Sequence, residues 1–337
     1  MTSAERREVR YWRRKAKRDA KKDKTKFEEV IAVNTLWKSM KECFRGVGWK
    51  ASTQNVRYQQ LTTLSKLYRS LHKEKYKSVG FCNFQKKERG KTRDIQATHI
   101  TERIVQKCLC KYLWKVFTPN LIKYNSASQK GRGVTYARKE FIRAYKSNNE
   151  WVLTYDIKSY FANIDHSTSK RLFKRFIMDE KTLRLCYQLI DEFEGETGVG
   201  LGSEISQILA IVYLNDIDHE GENRGDYGRY MDDGYFFGSR KAVRKFRKYL
   251  EKDLVRIGLR LNKKTQENRV KNGAVFLKRL HKGEEVLFTS QCRKNIMRRC
   301  KKLQNLPEEK QEMAYNAYRA IVSETTERRD RYAFLWR

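Results

Sequence analysis

Two short segments hold side chains whose types and spacing could do chemistry. In residues 151–166 (WVLTYDIKSYFANIDH), the apolar pair Val152 and Leu153 predicts a strand that delivers Asp156. In residues 227–238 (YGRYMDDGYFFG), aromatic and apolar residues flank Asp232 and Asp233, with Gly234 next, which predicts a hairpin carrying carboxylates at its turn. Adjacent like charges repel, so such a pair between apolar strands is costly unless a divalent cation neutralises it. Three carboxylates from two strands suit Mg²⁺, a hard cation that takes oxygen ligands and shares them with substrate phosphates. Two such ions, roughly 3.5–4 Å apart, can activate an attacking hydroxyl and stabilise a leaving pyrophosphate. A solvent-facing Asp-Gly turn would account for Asp232 and Asp233 alone, but not for Asp156 placed 76 residues upstream.

The elements that must position these groups are legible in outline. Residues 1–26 carry 12 Lys/Arg against 4 Asp/Glu and read as a basic arm, either gripping phosphates or solvated. From 27 to about 71 the apolar spacing is helical, grouping Val30, Ile31, Val33, Leu36 and Trp37, then Leu61, Leu64, Leu67 and Leu71. Residues 78–97 predict a β-hairpin whose tip holds Lys86, Lys87, Arg89, Lys91 and Arg93 around Gly90. A helix from Thr101 through Leu113 should bury Ile104, Val105, Cys108, Leu109 and Tyr112. Residues 124–138 (YNSASQKGRGVTYAR) form a Gly- and Ser-rich loop, with Lys130 and Arg132, leading into another helix. Strand alternation places Tyr160 and Phe161 on opposite faces. From about 289 the chain is helical, and six of the twelve residues 291–302 are basic. With two prolines and no low-complexity linker, the chain reads as one continuous fold: arm 1–26, body 27–288 and helical basic part 289–337.

Composition narrows the function class. The 337 residues carry 75 Lys/Arg against 40 Asp/Glu, a formal +35 that a polyanion would relieve, so nucleic acid is the first partner to expect. Hydrophobic residues, at 39%, suffice for a buried core. No apolar run approaches a membrane span and the charged N-terminus is not a secretory signal, so no membrane association is expected. Seven cysteines form no CxxC pair, which argues for reduced thiols in the cytoplasm rather than zinc or disulfides. His166 reads as orienting its loop, and His99, His219 and His281 have no partner spacing that suggests a site.

The motifs resemble those of reverse transcriptases, in family order from about residue 78 to 280. Tyr230-Met231-Asp232-Asp233 matches the YxDD signature, and residues 156–166 resemble the strand bearing the first catalytic aspartate. Residues 198–219 (GVGLGSEISQILAIVYLNDIDH) resemble the glycine turn and helix that shape the nucleotide pocket. Lys91-Thr92-Arg93 and Glu102-Arg103-Ile104-Val105-Gln106 resemble the fingers of the bacterial enzymes; residues 258–266 and 273–277 resemble the lysine-bearing and primer-grip segments. The resemblance implies an α+β right-hand polymerase fold with fingers, a palm of antiparallel sheet with helices, and a short helical thumb.

It also implies roles. Asp156 and Asp232 would be the main ligands of two Mg²⁺ ions, with Mn²⁺ able to substitute. Asp233 would support the site, and Ile157 would lend a backbone carbonyl. Phe161 would block a ribose 2′-hydroxyl, and Arg93 would grip the incoming triphosphate, with Lys91, Leu201, Gly202, Gln207 and Lys264 completing the nucleotide site. Arg103, Lys130, Arg132, Arg293, Lys294, Arg298 and Arg299 would contact nucleic acid. Departures are specific: the usual Gln-Gly is Leu201-Gly202, the usual Ser-Pro is Ser206-Gln207, and the usual Phe-Leu-Gly is Phe276-Leu277-Lys278. The Ser-Gln form resembles diversity-generating-retroelement and phage-defence branches, which implies a bacterial or phage-encoded enzyme.

The expected partners are an RNA template, a DNA or RNA primer and dNTPs, with a non-coding RNA and an accessory protein in some settings. No RNase H, endonuclease or maturase segment is expected after 289. An antiphage defence enzyme with protein-primed or untemplated synthesis is the alternative within polymerases. A non-catalytic RNA-binding scaffold is the alternative from another class, disfavoured by the three carboxylates.

Overall fold

The computed structural model describes residues 19–88, 91–148, 150–303, 305, 307–327, 332 and 335, with only the backbone of Glu88 and Lys91. The chain divides into two compact units. Residues 1–121, 159–216 and 257–259 form the first; 122–158, 217–256 and 260–337 form the second. The architecture is α+β, with every sheet antiparallel.

In the first unit the Ile100–Phe117 helix is the centrepiece, longer at both ends than the sequence pattern suggested. Ile104, Val105, Cys108, Leu109 and Tyr112 are buried along it, and the Val33–Cys43 and Glu204–Val212 helices pack against it. The expected hairpin pairs β1 (Phe81–Glu88) with β2 (Lys91–Thr98), and its expected tip residues Arg89 and Gly90 lie outside the described residues. Two expected core positions instead face solvent: Val33 is 47% and Leu61 70% exposed. Val33 opens the Val33–Cys43 helix, and Leu61 lies in the first turn of the Gln60–His72 helix, which a break at Gln59, with φ −107° and ψ 32°, separates from the Ala51–Tyr58 helix. Leu64, Leu67 and Leu71 face the core on the second helix while Leu61 does not.

The expected arm 1–26 falls mostly outside the described residues. Its end docks on the first unit: the Asp23 N–H donates to the Phe176 carbonyl (2.8 Å), and the Tyr112 hydroxyl donates to the Asp23 carboxylate (3.0 Å).

The second unit is built on a four-stranded sheet in the order β4–β5–β3–β6, where β3 is Trp151–Asp156, β4 Asp226–Tyr230, β5 Asp233–Gly238 and β6 Gln266–Arg269. The inner strands β3 and β5 are buried on both faces, which is why each reads as an apolar or aromatic run. Along β5 the side chains alternate. Tyr235 and Phe237 pack on Phe141 of the Val134–Ser147 helix, whereas Phe236 stacks on Phe246 of the Arg240–Arg256 helix at 4.4 Å. The 124–126 segment, expected as loop, lies along the outer edge of β4, with Arg229 and Ser126 N–H groups donating to the Tyr124 and Arg229 carbonyls.

A smaller sheet of β7 (Ala274–Phe276), β8 (Arg279–Lys282) and β9 (Glu285–Phe288) follows. Beyond it come the helices Ser290–Leu303 and Glu308–Ser323, with Phe288, Ile296, Cys300 and Val322 in their core. All seven cysteines are free. Among the described residues no helix is long and apolar enough to cross a membrane.

Candidate active site

Hydrogen-bond register brings the carboxylates together. β3 and β5 pair so that Asp156 lies directly opposite Asp233. Tyr230 pairs with Asp233 across the β4–β5 hairpin, so the turn is Met231-Asp232, and Asp233 opens β5 rather than sharing the turn. Met231 takes φ 54°, a left-handed conformation unusual for a non-glycine residue in a two-residue hairpin turn. The turn is tied to β3 as well, because the Ile157 N–H donates to the Asp232 carbonyl at 3.1 Å.

Gly234 follows for a steric reason. A Cβ there would stand 2.2 Å from the Tyr155 ring, so only glycine lets Tyr155 lie across β5.

The electrostatics are those of crowded acids. Burial, then the adjoining Asp232, to which it is hydrogen-bonded, pushes the Asp156 carboxyl up to about 6; Asn262 and Lys264 oppose this. Burial, then Asp232 and Asp156, raises Asp233 to about 7 against Lys278 and Lys264. Asn262 holds Asp156 twice, through its backbone N–H to the Asp156 carbonyl and its side-chain amide to Oδ2, each at 2.7 Å.

No cluster of three His, Cys, Asp or Glu side chains stands in ligating geometry among the described residues. The paired Asp156 and Asp232 carboxyls nonetheless fit a divalent cation of the Mg²⁺ kind, which takes one or two carboxylates and fills its remaining positions from substrate and water.

A pH dependence follows. Between about pH 4 and 7 the folded chain holds protons at Asp156 and Asp233 that the unfolded chain has lost. The cluster's stabilising contribution is therefore complete in acid and disappears as pH rises through the folded values. Melting without metal should fall more between pH 5 and 8 for the wild type than for an Asp156→Asn/Asp233→Asn variant. Mg²⁺ at pH 8 should raise the wild-type Tm by about 2–4 °C and the variant's not at all. A wild type insensitive to Mg²⁺ would remove the cation from the site.

Beneath the turn lies a buried polar group that sequence reasoning missed. Arg229 and Asp218 are 1% and 0% exposed, and the guanidinium grips the carboxylate bidentately, Nε at 2.7 Å and Nη2 at 2.6 Å. The third nitrogen, Nη1, donates to the Met231 carbonyl at 2.8 Å, fixing the left-handed residue before Asp232. The Tyr227 hydroxyl (2.8 Å) and the Asn125 amide (3.3 Å) also donate to Asp218. One signal was available: Tyr227 and Arg229 share a strand face by alternation, so a buried Tyr227 implies a buried Arg229.

The remaining expected residues are spread over both units. In the first, Arg93 is exposed on β2, and Lys91 opens that strand with its side chain outside the described set. Leu201 is half-buried and its carbonyl accepts from Gln96 N–H at 2.9 Å. Gly202, with φ 117°, passes so close to β2 that a Cβ would lie 3.1 Å from the Gln96 carbonyl oxygen. Gln207 is exposed on its helix and Arg103 on the Ile100–Phe117 helix. Strand alternation is not what separates Tyr160 from Phe161. β3 ends at Asp156, Ser159 turns the chain at φ 50°, and Phe161 opens a short 3₁₀ turn. Tyr160 is buried and donates to the Ala210 carbonyl at 2.6 Å, while Phe161 is half-buried. His166 is buried with Nε2 2.7 Å from the Gly198 carbonyl, and the helix cap beside it is Asp165.

In the second unit, Ile157 is buried and Lys264 exposed. Lys130 is exposed, whereas Arg132 donates to the Asn125 carbonyl at 2.8 Å and so holds its own loop. Lys294, Arg298 and Arg299 are exposed on the Ser290–Leu303 helix, but Arg293 is committed to Glu327 at 2.6 Å.

The sequence profile of the family described as reverse transcriptase (RNA-dependent DNA polymerase) matches residues 84–277. No curated protein matches the sequence. Among solved structures, the chain is similar to apo telomerase from Candida tropicalis truncated from its C-terminal domain, at 15% identity and TM-score 0.45, covering 60% of this chain and 53% of that one. It is also similar to apo telomerase from the same organism, at 13% identity and TM-score 0.48, covering 64% and 49%. The chain thus spans about half the length of the solved structures it matches.

Proposed function

Because the chain belongs to the reverse transcriptase (RNA-dependent DNA polymerase) family, we propose that it adds deoxynucleotides to a primer 3′-hydroxyl on an RNA template. Its antiparallel sheets with flanking helices form the right-hand polymerase fold. The observation that carries the activity is the convergence of Asp156, Asp232 and Asp233 at the ends of paired strands, with Asp156 hydrogen-bonded to Asp232.

In this reading Asp156 and Asp232 would hold two Mg²⁺ ions, and the Ile157 carbonyl would be a further ligand. When bound, the ions supply charge neutralisation for the attacking hydroxyl and the leaving pyrophosphate. Asp233 adds negative charge behind Asp232, and Asn262 keeps the Asp156 carboxylate oriented. Residues 27–288 would make fingers and palm and 289–337 a thumb. By the family resemblance, Arg93, Lys91, Leu201, Gly202 and Gln207 would be nucleotide-binding residues of the first unit, and Lys264 one of the second. Arg103, Lys130, Lys294, Arg298 and Arg299 would track nucleic-acid phosphates; Arg132 and Arg293 act on their own loop and on Glu327. The Ser206-Gln207 form supports a place in a diversity-generating or related bacterial or phage element.

The direct test is primer extension with Mg²⁺ or Mn²⁺ on matched RNA and DNA templates, with RNA binding measured alongside. Binding without extension under every metal would leave only a scaffold. Sequencing cDNA that copurifies with the protein would name the template.

Phe161 gives a sharper prediction. A half-buried ring at this position excludes a ribose 2′-hydroxyl by contact, so Phe161→Ala should raise the rNTP-to-dNTP efficiency ratio on the order of 10-fold. An unchanged ratio with normal dNTP use would assign the ring to packing.

A further inference from the structure

In the first unit, outside the segment matched by the family profile, lies a basic surface that also exposes apolar side chains. Residues 43–73 contain six Lys/Arg and no Asp or Glu. Within them Trp49 is 75%, Tyr58 96% and Leu61 70% exposed. Single exposed apolar side chains are ordinary, but three within thirteen residues are not, and one of them, Tyr58, lines a hollow. The break at Gln59 opens a shallow hollow of about 430 Å³ between the Ala51–Tyr58 and Gln60–His72 helices, lined by Asn55, Val56, Tyr58, Gln59 and Thr63.

The lining has the chemistry of a nucleobase site. Tyr58 offers an aromatic face that touches no other ring among the described residues, and Asn55, Gln59 and Thr63 offer donors and acceptors. None of these three side chains has a hydrogen-bond partner among the described residues. Single-stranded RNA is recognised in this way, by stacking its splayed bases on aromatics and hydrogen-bonding their edges. Lys50 and Arg57, both exposed, flank the hollow with positive charge for the phosphates. The chain's own N-terminal segment is a poor occupant. Residues 1–18 hold eight Lys/Arg against two Glu and would meet like charge.

We propose that this hollow binds an unpaired base of single-stranded RNA, stacked on Tyr58 and read at its edge by Asn55 and Gln59. Resting on the RNA-template reading above, it makes the surface a holding point for template that is not yet paired.

The test is fluorescence anisotropy with full-length protein and labelled 12-mers: single-stranded RNA of each base, single-stranded DNA, an RNA duplex and an all-Glu peptide. Tyr58→Ala should weaken single-stranded RNA binding about 5- to 150-fold, the range expected for one stacked base. Tyr58→Phe should stay within twofold of wild type. The salt slope should be unchanged in Tyr58→Ala, because no charge is lost, and should fall by about 0.7 in Arg57→Ala.

Four results would overturn the proposal: affinity in Tyr58→Ala within twofold of wild type on every single-stranded RNA, an equal loss on the duplex, an equal loss on DNA, or an equal loss on the peptide. Since Tyr58 is 96% exposed, its replacement leaves the fold intact, which a melting curve checks. Binding is read without dNTPs. A chain that binds as expected but extends no primer would therefore fail the polymerase reading alone. One that extends primers while Tyr58→Ala binds normally would fail this proposal alone.

Discussion

Asp232→Ala is expected to slow nucleotide addition on the order of 10³-fold while leaving RNA affinity within about twofold of wild type. Asp232 sits where the β4–β5 turn, the end of β3 and the Asp156 carboxyl meet. Alanine removes one of the two carboxyls that could hold a cation between the strands, leaving Asp156 and the more deeply buried Asp233. Each 1.36 kcal/mol of lost transition-state stabilisation is tenfold in rate, and a metal's electrostatic contribution is several kcal/mol. RNA affinity rests on lysine and arginine, so removing one carboxylate leaves it unchanged or slightly stronger. Single-turnover primer extension and RNA binding, measured side by side with Asp156→Ala as a companion, decide the matter. Extension retained in Asp232→Ala would end the metal-ligand assignment.

Asp218→Ala should cost about 3–5 kcal/mol of stability, because it strands the Arg229 guanidinium where no water reaches it. That is a large share of the roughly 5–15 kcal/mol by which a domain is stable. The informative control is Asp216→Ala. Asp216 also meets an arginine bidentately, but Arg175 and Asp216 are about half exposed (51% and 54%), and such a surface pair contributes about 0–1 kcal/mol. A double variant, Asp218→Leu with Arg229→Met, should recover much of the loss, since replacing a buried pair together removes the uncompensated charge. Urea unfolding of the four proteins gives the ordering. Equal costs for Asp218→Ala and Asp216→Ala would mean that Arg229 is solvated in solution.

Much of the site was legible because its signals are local. An aromatic run broken by Asp232 and Asp233 can only be a strand, a turn and a strand, and the apolar run ending at Asp156 can only be a buried strand with an acid at its tip. The hairpin at 81–98 and the helix over 100–117 were equally plain from alternation and from 3.6-residue spacing. Where the reading went astray, the cause was local: Leu61 lies in the first turn of its helix, roughly 90° around from the Leu64, Leu67 and Leu71 stripe, and the left-handed Ser159 ended any alternation that could relate Tyr160 to Phe161.

The sequence by itself determined the chemistry on offer: three acids on two strands, a charge of +35 to hold a polyanion, and glycine where a tyrosine must cross. Tertiary structure alone decided which of these groups meet. Asp156 faces Asp233 only through the register of β3 on β5. Arg229 is buried only because Asp218, arriving on a different element, neutralises it. The hollow beside Tyr58 exists only because two helices diverge at one residue. The physical reason is range. Side-chain periodicity is fixed by the backbone within a few residues, whereas register, burial of charge and concavity depend on partners far away along the chain.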